Sequence, residues 1–302
     1  MKIRILPYDA SAASAVERSG AEVASETDRA DGLVAHFGCS VSDVVQALET
    51  DSSIGWVQLP SAGIEKWTEV IAAHPTVLWT SAKGAYAEPV AEHALALTLA
   101  LLRNLKERSR ATRWGSPSGT SLHGCNIVLL GAGGVAQETA RLLGAFRTSV
   151  TVVRRLPDPV DWASRTISLD QLDDVLPDAD VVIVAAALTG QTRGLFDAAR
   201  LALLKPRAVL VNIARGALVD SDALVGALYR GELAGAALDV TDPEPLPDGH
   251  ALWAEPLALI TPHTADTMEM IVPLLAERIA DNVARLSDGR AMVGQVDPAA
   301  GY

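Results

Sequence analysis

The chain has 302 residues, 49% apolar and 21% charged, so it is long enough for about two domains with sizeable cores and is not a disordered segment. Its 37 acidic and 25 basic side chains give a formal charge of −12, which disfavours nucleic acid and anionic membrane surfaces as partners. Its two cysteines, Cys39 and Cys125, have no second thiol nearby, which excludes a disulfide framework and a thiolate metal site and favours a reducing cytoplasm.

Short apolar runs alternate with amphipathic segments along the chain. We predict strands at residues 3–6, 33–35, 56–59, 127–130, 150–153, 181–185, 209–212, 235–238 and 257–260. Uniformly apolar strands of this kind are typical of parallel sheets that are buried on both faces and joined by crossover helices. The pattern therefore predicts an α/β protein.

Two apolar segments are long enough to compare with targeting or membrane signals. The first, in residues 1–9 (MKIRILPYD), is far shorter than the apolar region of a signal peptide. The longest, residues 94–102, has about half of the ~20 residues that a membrane helix needs. It belongs instead to a predicted buried helix at residues 89–110, which a Gly/Ser/Pro-rich loop (113–124) follows. We expect a cytoplasmic protein, and we expect His93 on this helix to be a packing residue.

A glycine-rich turn, GAGGVA, follows the predicted strand at 127–130 and precedes a helical pattern. Its residues include Gly131, Gly133, Gly134, Val135 and Ala136. In a G-x-G-x-x-A turn between a strand and a helix, the first glycine allows the tight turn and the second lets a pyrophosphate approach the backbone. The N–H groups at the helix start then bind the anion. The turn predicts a dinucleotide site; the alternative is a glycine-rich turn without a ligand.

Two arginines stand at the end of the next predicted strand. Chains that bind NAD usually carry an acidic residue about 20 positions after the turn, where it accepts hydrogen bonds from the ribose hydroxyls. Arg154 and Arg155 take that place here, and guanidinium groups can bind a 2′-phosphate but cannot accept from a hydroxyl. The pair predicts a preference for NADP(H) over NAD(H). The alternative is a solvated basic pair.

Three polar residues lie at or just beyond the ends of later predicted strands: Arg215, Glu244 and His263. Open α/β sheets bind ligands at that edge, so we expect the three to converge. Reduction of a 2-oxo acid needs its carboxylate held, its carbonyl polarised and a proton delivered. An arginine can do the first two, and a histidine held charged by a carboxylate can do the third. The alternatives are an ion-paired arginine, a turn glutamate and a satisfied core histidine. The histidine spacing predicts no metal site.

These segments also resemble a known family. From Leu122 onward the chain is similar to the D-isomer-specific 2-hydroxyacid dehydrogenases, in their glyoxylate/hydroxypyruvate reductase-like branch. The matching segments are LHGCNIVLLGAGGVA, ALTGQTRGLF, LLKPRAVLVNIARGALVD, AALDVTDPEPLP and LITPHTAD, with PVAEHALALTLALLRN at 89–104 and SAGIEKW at 61–67. The order and approximate spacing of NxARG, LDVxxxEP and TPH make the resemblance specific.

The resemblance implies roles for individual residues. Arg215 would bind the substrate carboxylate and carbonyl oxygen, His263 would be the general acid in reduction and the base in oxidation, and Glu244 would hydrogen-bond His263. Backbone groups of Ala62 and Gly63 would bind the substrate carboxylate as well. The implied cofactor-binding residues are Gly131, Gly133, Gly134, Val135, Ala136, Arg154, Arg155, Thr192, Ile213, Ala214 and Asp239, the last of these beside the nicotinamide carboxamide.

The resemblance further implies two α/β domains. A Rossmann-type NADP-binding domain of residues 96–267 would be inserted in a flavodoxin-like substrate-binding domain of residues 1–95 and 268–302, with the active site in the cleft between them. It also implies a homodimer, with residues 89–110 and the loop near Trp114 at the interface.

The predicted function is NADPH-dependent reduction of a small 2-oxo acid, such as glyoxylate, hydroxypyruvate or a phenylpyruvate-like acid, to the D-2-hydroxy acid. Two alternatives remain open at this point. One is a dinucleotide-sensing, corepressor-like binding protein of the same fold without turnover, and the other is an enzyme that uses the fold for other substrates.

Overall fold

The structure is a computed structural model, and it describes residues 1–298. The strands are β1 (Lys2–Leu6), β2 (Glu22–Val23), β3 (Gly32–Ala35), β4 (Trp56–Gln58), β5 (Leu78–Thr80), β6 (Asn126–Leu130), β7 (Ser149–Val153), β8 (Arg165–Ile167), β9 (Val181–Val184), β10 (Val209–Asn212), β11 (Gly235–Leu238) and β12 (Ala258–Ile260). The α-helices are α1 (Ala10–Arg18), α2 (Val41–Thr50), α3 (Thr68–Ala73), α4 (Ala87–Leu102), α5 (Leu105–Arg108), α6 (Gly134–Gly144), α7 (Leu172–Val175), α8 (Ala198–Leu201), α9 (Ser221–Tyr229), α10 (Ala251–Ala254) and α11 (Met268–Asp288).

The chain forms two compact units. Of the described residues, the first contains 1–86 and 267–298. Its five strands are all parallel, in the order β2-β1-β3-β4-β5, which is the flavodoxin-like order. Helix α11 packs against α1 in this unit.

The second unit contains residues 87–266. Its seven strands are also parallel, in the order β12-β11-β10-β9-β6-β7-β8. This is the doubly wound dinucleotide-binding order with one further strand at the β12 edge. The strand order reverses between β6 and β9, so the switch point lies at the end of β6. The predicted fold class, a Rossmann-type domain inserted in a flavodoxin-like domain, is confirmed.

Two apolar clusters cover the faces of the seven-stranded sheet. Alternate residues of one strand belong to different clusters: Val128 and Leu130 of β6 to one, Ile127 and Leu129 to the other. Because successive side chains of a strand point to opposite faces, the sheet is buried on both sides. This burial explains why its central strands read as continuous apolar runs.

Three strands were not predicted, namely β2, β5 and β8. Each lies at an edge of its sheet and has only two or three residues. β2 and β8 pair with a strand on one side only, β5 has only an isolated bridge from Thr80 to Gln295 on its outer side, and the sequences EV, LWT and RTI do not form uniform apolar runs. Their omission therefore reflects their position in the sheets.

Two predicted boundaries differ from the structure. The compact units divide between Tyr86 and Ala87, not at residue 95, because α4 is a continuous helix that packs on α6 and β10 of the second unit. The predicted helix at 89–110 is interrupted after Leu102, where Asn104 takes a left-handed conformation (φ +50°) and the Thr120 N–H donates to the Leu102 carbonyl oxygen at 2.7 Å. Among residues 1–298, no helix is long and apolar enough to cross a membrane.

Candidate active site

The carboxyl edge of the seven-stranded sheet carries most of the predicted site residues. Strand β6 leads into the glycine turn at the switch point, and β10, β11 and β12 lead into the loops of Arg215, Glu244 and His263. All these strands are parallel, so their loops share one edge, as sheets of this type require for ligand binding.

The glycine turn contains one glycine that the fold requires, Gly131, and one that the fold does not require, Gly133. Gly131 has φ +106°, and a Cβ there would lie 2.6 Å from the Ala185 carbonyl oxygen. Gly133 has φ −77°, and a Cβ there would have no atom within 4 Å. Gly133 is also the N-cap of α6 and forms no side-chain cap, so the first-turn N–H groups stay available for a ligand. These features fit the pyrophosphate of a dinucleotide.

The rest of the turn enters α6. Gly134 and Val135 are half-buried in its first turn, whereas Ala136 is fully buried in the cluster that includes Ile127 and Leu129 of β6. A larger side chain at position 136 would separate the helix from the sheet. The small residue is thus explained by packing.

The end of β7 is cationic, as predicted. The backbone N–H of Arg154 donates to the Ile167 carbonyl oxygen at 3.0 Å, and Arg154 Nη1 donates to the Asp158 carbonyl oxygen at 3.3 Å. Arg154 is half-buried and Arg155 is exposed. A carbonyl partner leaves the charge of Arg154 in place, and four further guanidinium N–H donors remain for other acceptors. This strand end fits a 2′-phosphate better than a ribose hydroxyl that needs an acceptor.

Three other predicted cofactor residues have contacts within the chain. The Thr192 hydroxyl donates to the Ala187 carbonyl oxygen and accepts from the Thr189 N–H, both at 2.8 Å, so it closes the loop after β9. Ile213 is buried, and the Ala214 N–H donates to Asn212 Oδ1 at 3.1 Å. Their role toward a cofactor stays a prediction.

The Arg215 loop is fixed to the end of β10 and to the next loop. Asn212 Nδ2 donates to the Arg215 carbonyl oxygen at 3.0 Å, and Arg215 Nη1 donates to the Ala214 carbonyl oxygen at 2.7 Å. A Cβ on Gly216 would lie 1.9 Å from the Thr241 carbonyl carbon. Only glycine permits this approach. The glycine of the ARG segment therefore sets the position of Arg215 relative to the loop that carries Glu244.

His263 and Glu244 form a direct pair. His263 Nδ1 lies 2.5 Å from Glu244 Oε1, and both side chains are about half exposed, at 53% and 42%. His263 has a left-handed backbone with φ +51°, which costs a non-glycine residue free energy. Its N–H donates to the Asp239 carbonyl oxygen at 2.7 Å. A carboxylate on Nδ1 orients the imidazole and leaves Nε2 for proton exchange with a ligand.

Asp239 is almost fully buried, with its carboxylate directed at the His263 loop. Its Oδ1 accepts from the Thr261 hydroxyl at 2.7 Å and from the Thr264 N–H at 2.9 Å, and its Oδ2 accepts from the Ala265 N–H at 3.1 Å. Burial alone raises the pKa of Asp239, but its hydrogen-bond donors, with His93 among them, outweigh this effect and hold the pKa below its usual value.

His93 is the functional candidate that sequence reasoning missed. We expected a packing residue there, and the structure adds polar contacts to that expectation, because His93 Nε2 lies 3.0 Å from Thr261 Oγ1 and 3.3 Å from Asp239 Oδ1. A signal was present in the sequence, since His93 is a polar residue directly before the apolar run at residues 94–97 of α4. Asp266 also lies close enough to be affected by a positive charge on His263. Burial raises the pKa of this half-buried carboxyl group, and that charge opposes the rise.

Ala62 and Gly63 belong to the first unit, in the loop after β4. The loop is held through its carbonyl groups: Tyr86 Oη donates to the Pro60 oxygen at 2.5 Å, and Ser61 Oγ donates to the Gly63 oxygen at 2.7 Å. The backbone N–H groups of Ala62 and Gly63 have no partner among residues 1–298. Such N–H groups suit an anion.

Comparisons with known proteins agree with these features. The family model described as D-isomer specific 2-hydroxyacid dehydrogenase, NAD binding domain, matches residues 95–265. The chain is 38% identical over 256 residues to an uncharacterized protein from the proB 3′ region of Corynebacterium melassecola, covering 83% of this chain and 84% of that protein. It is 34% identical to glyoxylate/hydroxypyruvate reductase A of Photorhabdus laumondii, covering 70% and 68% of the two chains.

A solved structure extends the likeness to the whole chain. The D-isomer specific 2-hydroxyacid dehydrogenase of Xanthobacter autotrophicus, solved in complex with NADPH and MES, superposes with a TM-score of 0.83 at 28% identity, covering 100% of this chain and 99% of that one. The motifs, the strand order and these relatives together show that the chain belongs to the D-isomer specific 2-hydroxyacid dehydrogenase family.

Proposed function

We propose that the protein reduces a small 2-oxo acid to the D-2-hydroxy acid and prefers NADPH. The observation that carries this proposal is the pair of His263 and Glu244, joined at 2.5 Å beyond the ends of β12 and β11. The carboxylate stabilises a protonated imidazole, and a protonated imidazole can give its proton to the carbonyl oxygen of a 2-oxo acid. In the reverse direction the neutral imidazole takes that proton back.

The substrate carboxylate is assigned to Arg215, with the backbone N–H groups of Ala62 and Gly63 as further donors. A guanidinium group presents two parallel N–H donors, which match a carboxylate and can also polarise an adjacent carbonyl oxygen. Gly216 and Asn212 fix the backbone of Arg215 from either side. The backbone of Arg215 is thus held by contacts within the chain.

The dinucleotide is assigned to the turn at Gly131–Ala136 and to the two arginines after β7. When bound, the reduced nicotinamide supplies the hydride for the carbonyl carbon. Gly133 leaves room for the pyrophosphate, and the N–H groups of α6 bind it. Arg154 and Arg155 bind the 2′-phosphate, and the NADPH complex of the Xanthobacter autotrophicus relative supports that choice.

The proposed oligomeric state and location follow the family resemblance. The oligomer is a homodimer, and the fully exposed Trp114 offers it an apolar contact. The location is the cytoplasm, where the two free thiols would stay reduced.

The test is a kinetic panel of glyoxylate, hydroxypyruvate and phenylpyruvate, each with NADPH and with NADH. A hydrogen-bonded ion pair at a partly dry site contributes about 1.5–3 kcal/mol, which is roughly tenfold to over a hundredfold in affinity. The parent protein should therefore turn over at least one acid and bind NADPH at least about tenfold more tightly than NADH. Arg154→Asp should remove that preference by repelling the phosphate.

The matched control is Arg29→Asp, which makes the same charge change at an exposed arginine of the first unit. It should leave the preference unchanged. Equal affinity of the parent protein for NADPH and NADH would contradict the role of the two arginines. Tight binding of NADPH without turnover of any acid would contradict the reductase and favour a dinucleotide-sensing protein.

A further inference from the structure

His93 makes a contact that the chemistry above does not use. It lies on α4, and its partly buried side chain reaches Thr261 Oγ1 at 3.0 Å and Asp239 Oδ1 at 3.3 Å through the same atom, Nε2. The Thr261 hydroxyl has one hydrogen, and its 2.7 Å contact with the Asp239 carboxylate takes that hydrogen. The hydroxyl oxygen must therefore accept from His93, which places a proton on Nε2.

The Asp239 carboxylate in turn organises the backbone around the general acid. It accepts the N–H groups of Thr264 and Ala265, the two residues after His263. The Asp239 carbonyl oxygen accepts the N–H of His263 itself at 2.7 Å. The left-handed backbone of His263 is thus bonded to Asp239 on both sides. A carboxylate that rotated away would release this loop.

We propose that His93 is a positioning residue for His263, acting through Thr261 and Asp239; this inference rests on the proposed reductase function. A carboxylate with 1% side-chain exposure requires donors that hold it in one orientation. The other donors to Asp239 come from the segment 261–265 that it must hold. His93 is the donor from a different element, so it fixes the carboxylate relative to α4 instead of letting carboxylate and loop move together.

The position of the cluster in the unit agrees with this role. α4 is the first helix of the second unit, and the segment 261–265 is nearly its last. These two parts of the chain meet at Asp239, the residue that directly follows β11. An apolar residue would continue the pattern of α4, whereas histidine adds a polar group directed at a buried carboxylate.

The experiment compares His93→Leu with His93→Gln in the full-length protein. Leucine removes the donor, and the glutamine amide keeps an N–H near the position of Nε2. His93→Leu should lower kcat for the 2-oxo acid by roughly tenfold, less than the roughly 10²–10⁴-fold expected for loss of the acid itself. The Kd for NADPH should change by less than about twofold, and His93→Gln should recover most of the activity.

Two further readouts separate positioning from a structural role. The double variant Thr261→Val with His93→Leu should lower kcat no more than the more damaging of the two single variants, because both substitutions act through the Asp239 carboxylate. The pH limit of reduction should also move in His93→Leu, since His263 would shift relative to its charged neighbours Glu244, Asp239 and Asp266. The control is His123→Leu at an exposed histidine of the same unit, which should change neither quantity.

NMR titration of the histidine ring signals tests the inference without turnover. In His93→Leu the His263 signals should change position and titration midpoint, and in His123→Leu they should not. A parent protein that reduces no 2-oxo acid would refute the proposed function, and this titration would still decide the positioning. Unchanged His263 signals and pH limit in His93→Leu, or a His93→Gln variant as poor as His93→Leu, would overturn the inference.

Discussion

The two glycines that bracket Ala132 should respond to alanine in opposite ways. At Gly131 the added Cβ would lie 2.6 Å from the Ala185 carbonyl oxygen, with φ at +106°. A residue forced into such a conformation costs about 1–3 kcal/mol, and overpacking costs about 1–3 kcal/mol more. Since about 1 kcal/mol lowers Tm by roughly 2–4 °C in a domain of this size, Gly131→Ala should lower the Tm of the second unit by about 5–20 °C.

At Gly133 the same substitution meets no protein atom within 4 Å, and φ is −77°, which alanine adopts readily. The free energy of unfolding should be unchanged or rise by about 0.4–1 kcal/mol, because alanine restricts the unfolded chain. If the pyrophosphate lies against this backbone, however, the methyl group occupies its space. A steric cost of about 1–3 kcal/mol weakens NADPH by roughly fivefold to 150-fold.

The assay pairs thermal unfolding without nucleotide with a calorimetric Kd for NADPH. The control is Gly144→Ala, which adds a methyl group in equally open space at the other end of α6. This variant should not lower the Tm and should leave the Kd for NADPH unchanged. A Gly133→Ala variant that binds NADPH like the parent would refute the assignment of the pyrophosphate to this turn. A Gly131→Ala variant with the parent Tm would refute the steric argument.

Two further predictions concern charge and pH. Glu244→Gln removes the anion beside His263 Nδ1, so the imidazole should hold its proton less tightly. The upper pH limit of 2-oxo acid reduction should therefore move to lower pH. A pH–rate profile identical to that of the parent would show that the two groups are not coupled. The pKa of Asp239 is held below its usual value, so its contribution to stability is complete above the unfolded pKa of about 3.9 and is lost as pH falls through the lower folded value. Asp239→Asn should therefore flatten the acid side of the unfolding free energy, measured in urea between about pH 2 and 5; an acid slope equal to that of the parent would argue against this reasoning.

The sequence alone predicts the sheet interior better than its edges. Strands such as β9 and β10 are buried on both faces, and their sequences are VVIV and VLVN. Short runs of β-branched and apolar residues of this kind are typical of buried parallel strands. The edge strands β2 and β8 contain Glu22 and Arg165, because one side of an edge strand faces solvent and requires no apolar residue. Their pairing depends on neighbours that are distant in the chain, and a local pattern does not contain that information.

The same limit applies to the site. Arg215, Glu244 and His263 stand out because each follows a strand directly and belongs to a recognisable segment. His93 lies 168 residues before its partner Thr261, and nothing local to α4 shows that the two meet. Gly216 could be read as part of a motif, but its steric reason, the backbone of Thr241, becomes visible only once β10 and β11 are paired.

The pair of Glu244 and His263 is positioned by contacts between neighbouring loops of one unit. Gly216 seats the loop after β10 on Thr241, and the carboxylate and carbonyl groups of Asp239 bind the loop after β12. Each of these contacts involves backbone atoms, so side-chain changes at the loop surfaces leave the spacing of Glu244 and His263 intact. In the proposed reductase, these hydrogen bonds within the chain would place His263, so substrate binding would not have to supply the free energy of arranging the general acid. In the proposed reductase, residues that recognise the substrate side chain could therefore change while the geometry of Glu244 and His263 stays the same.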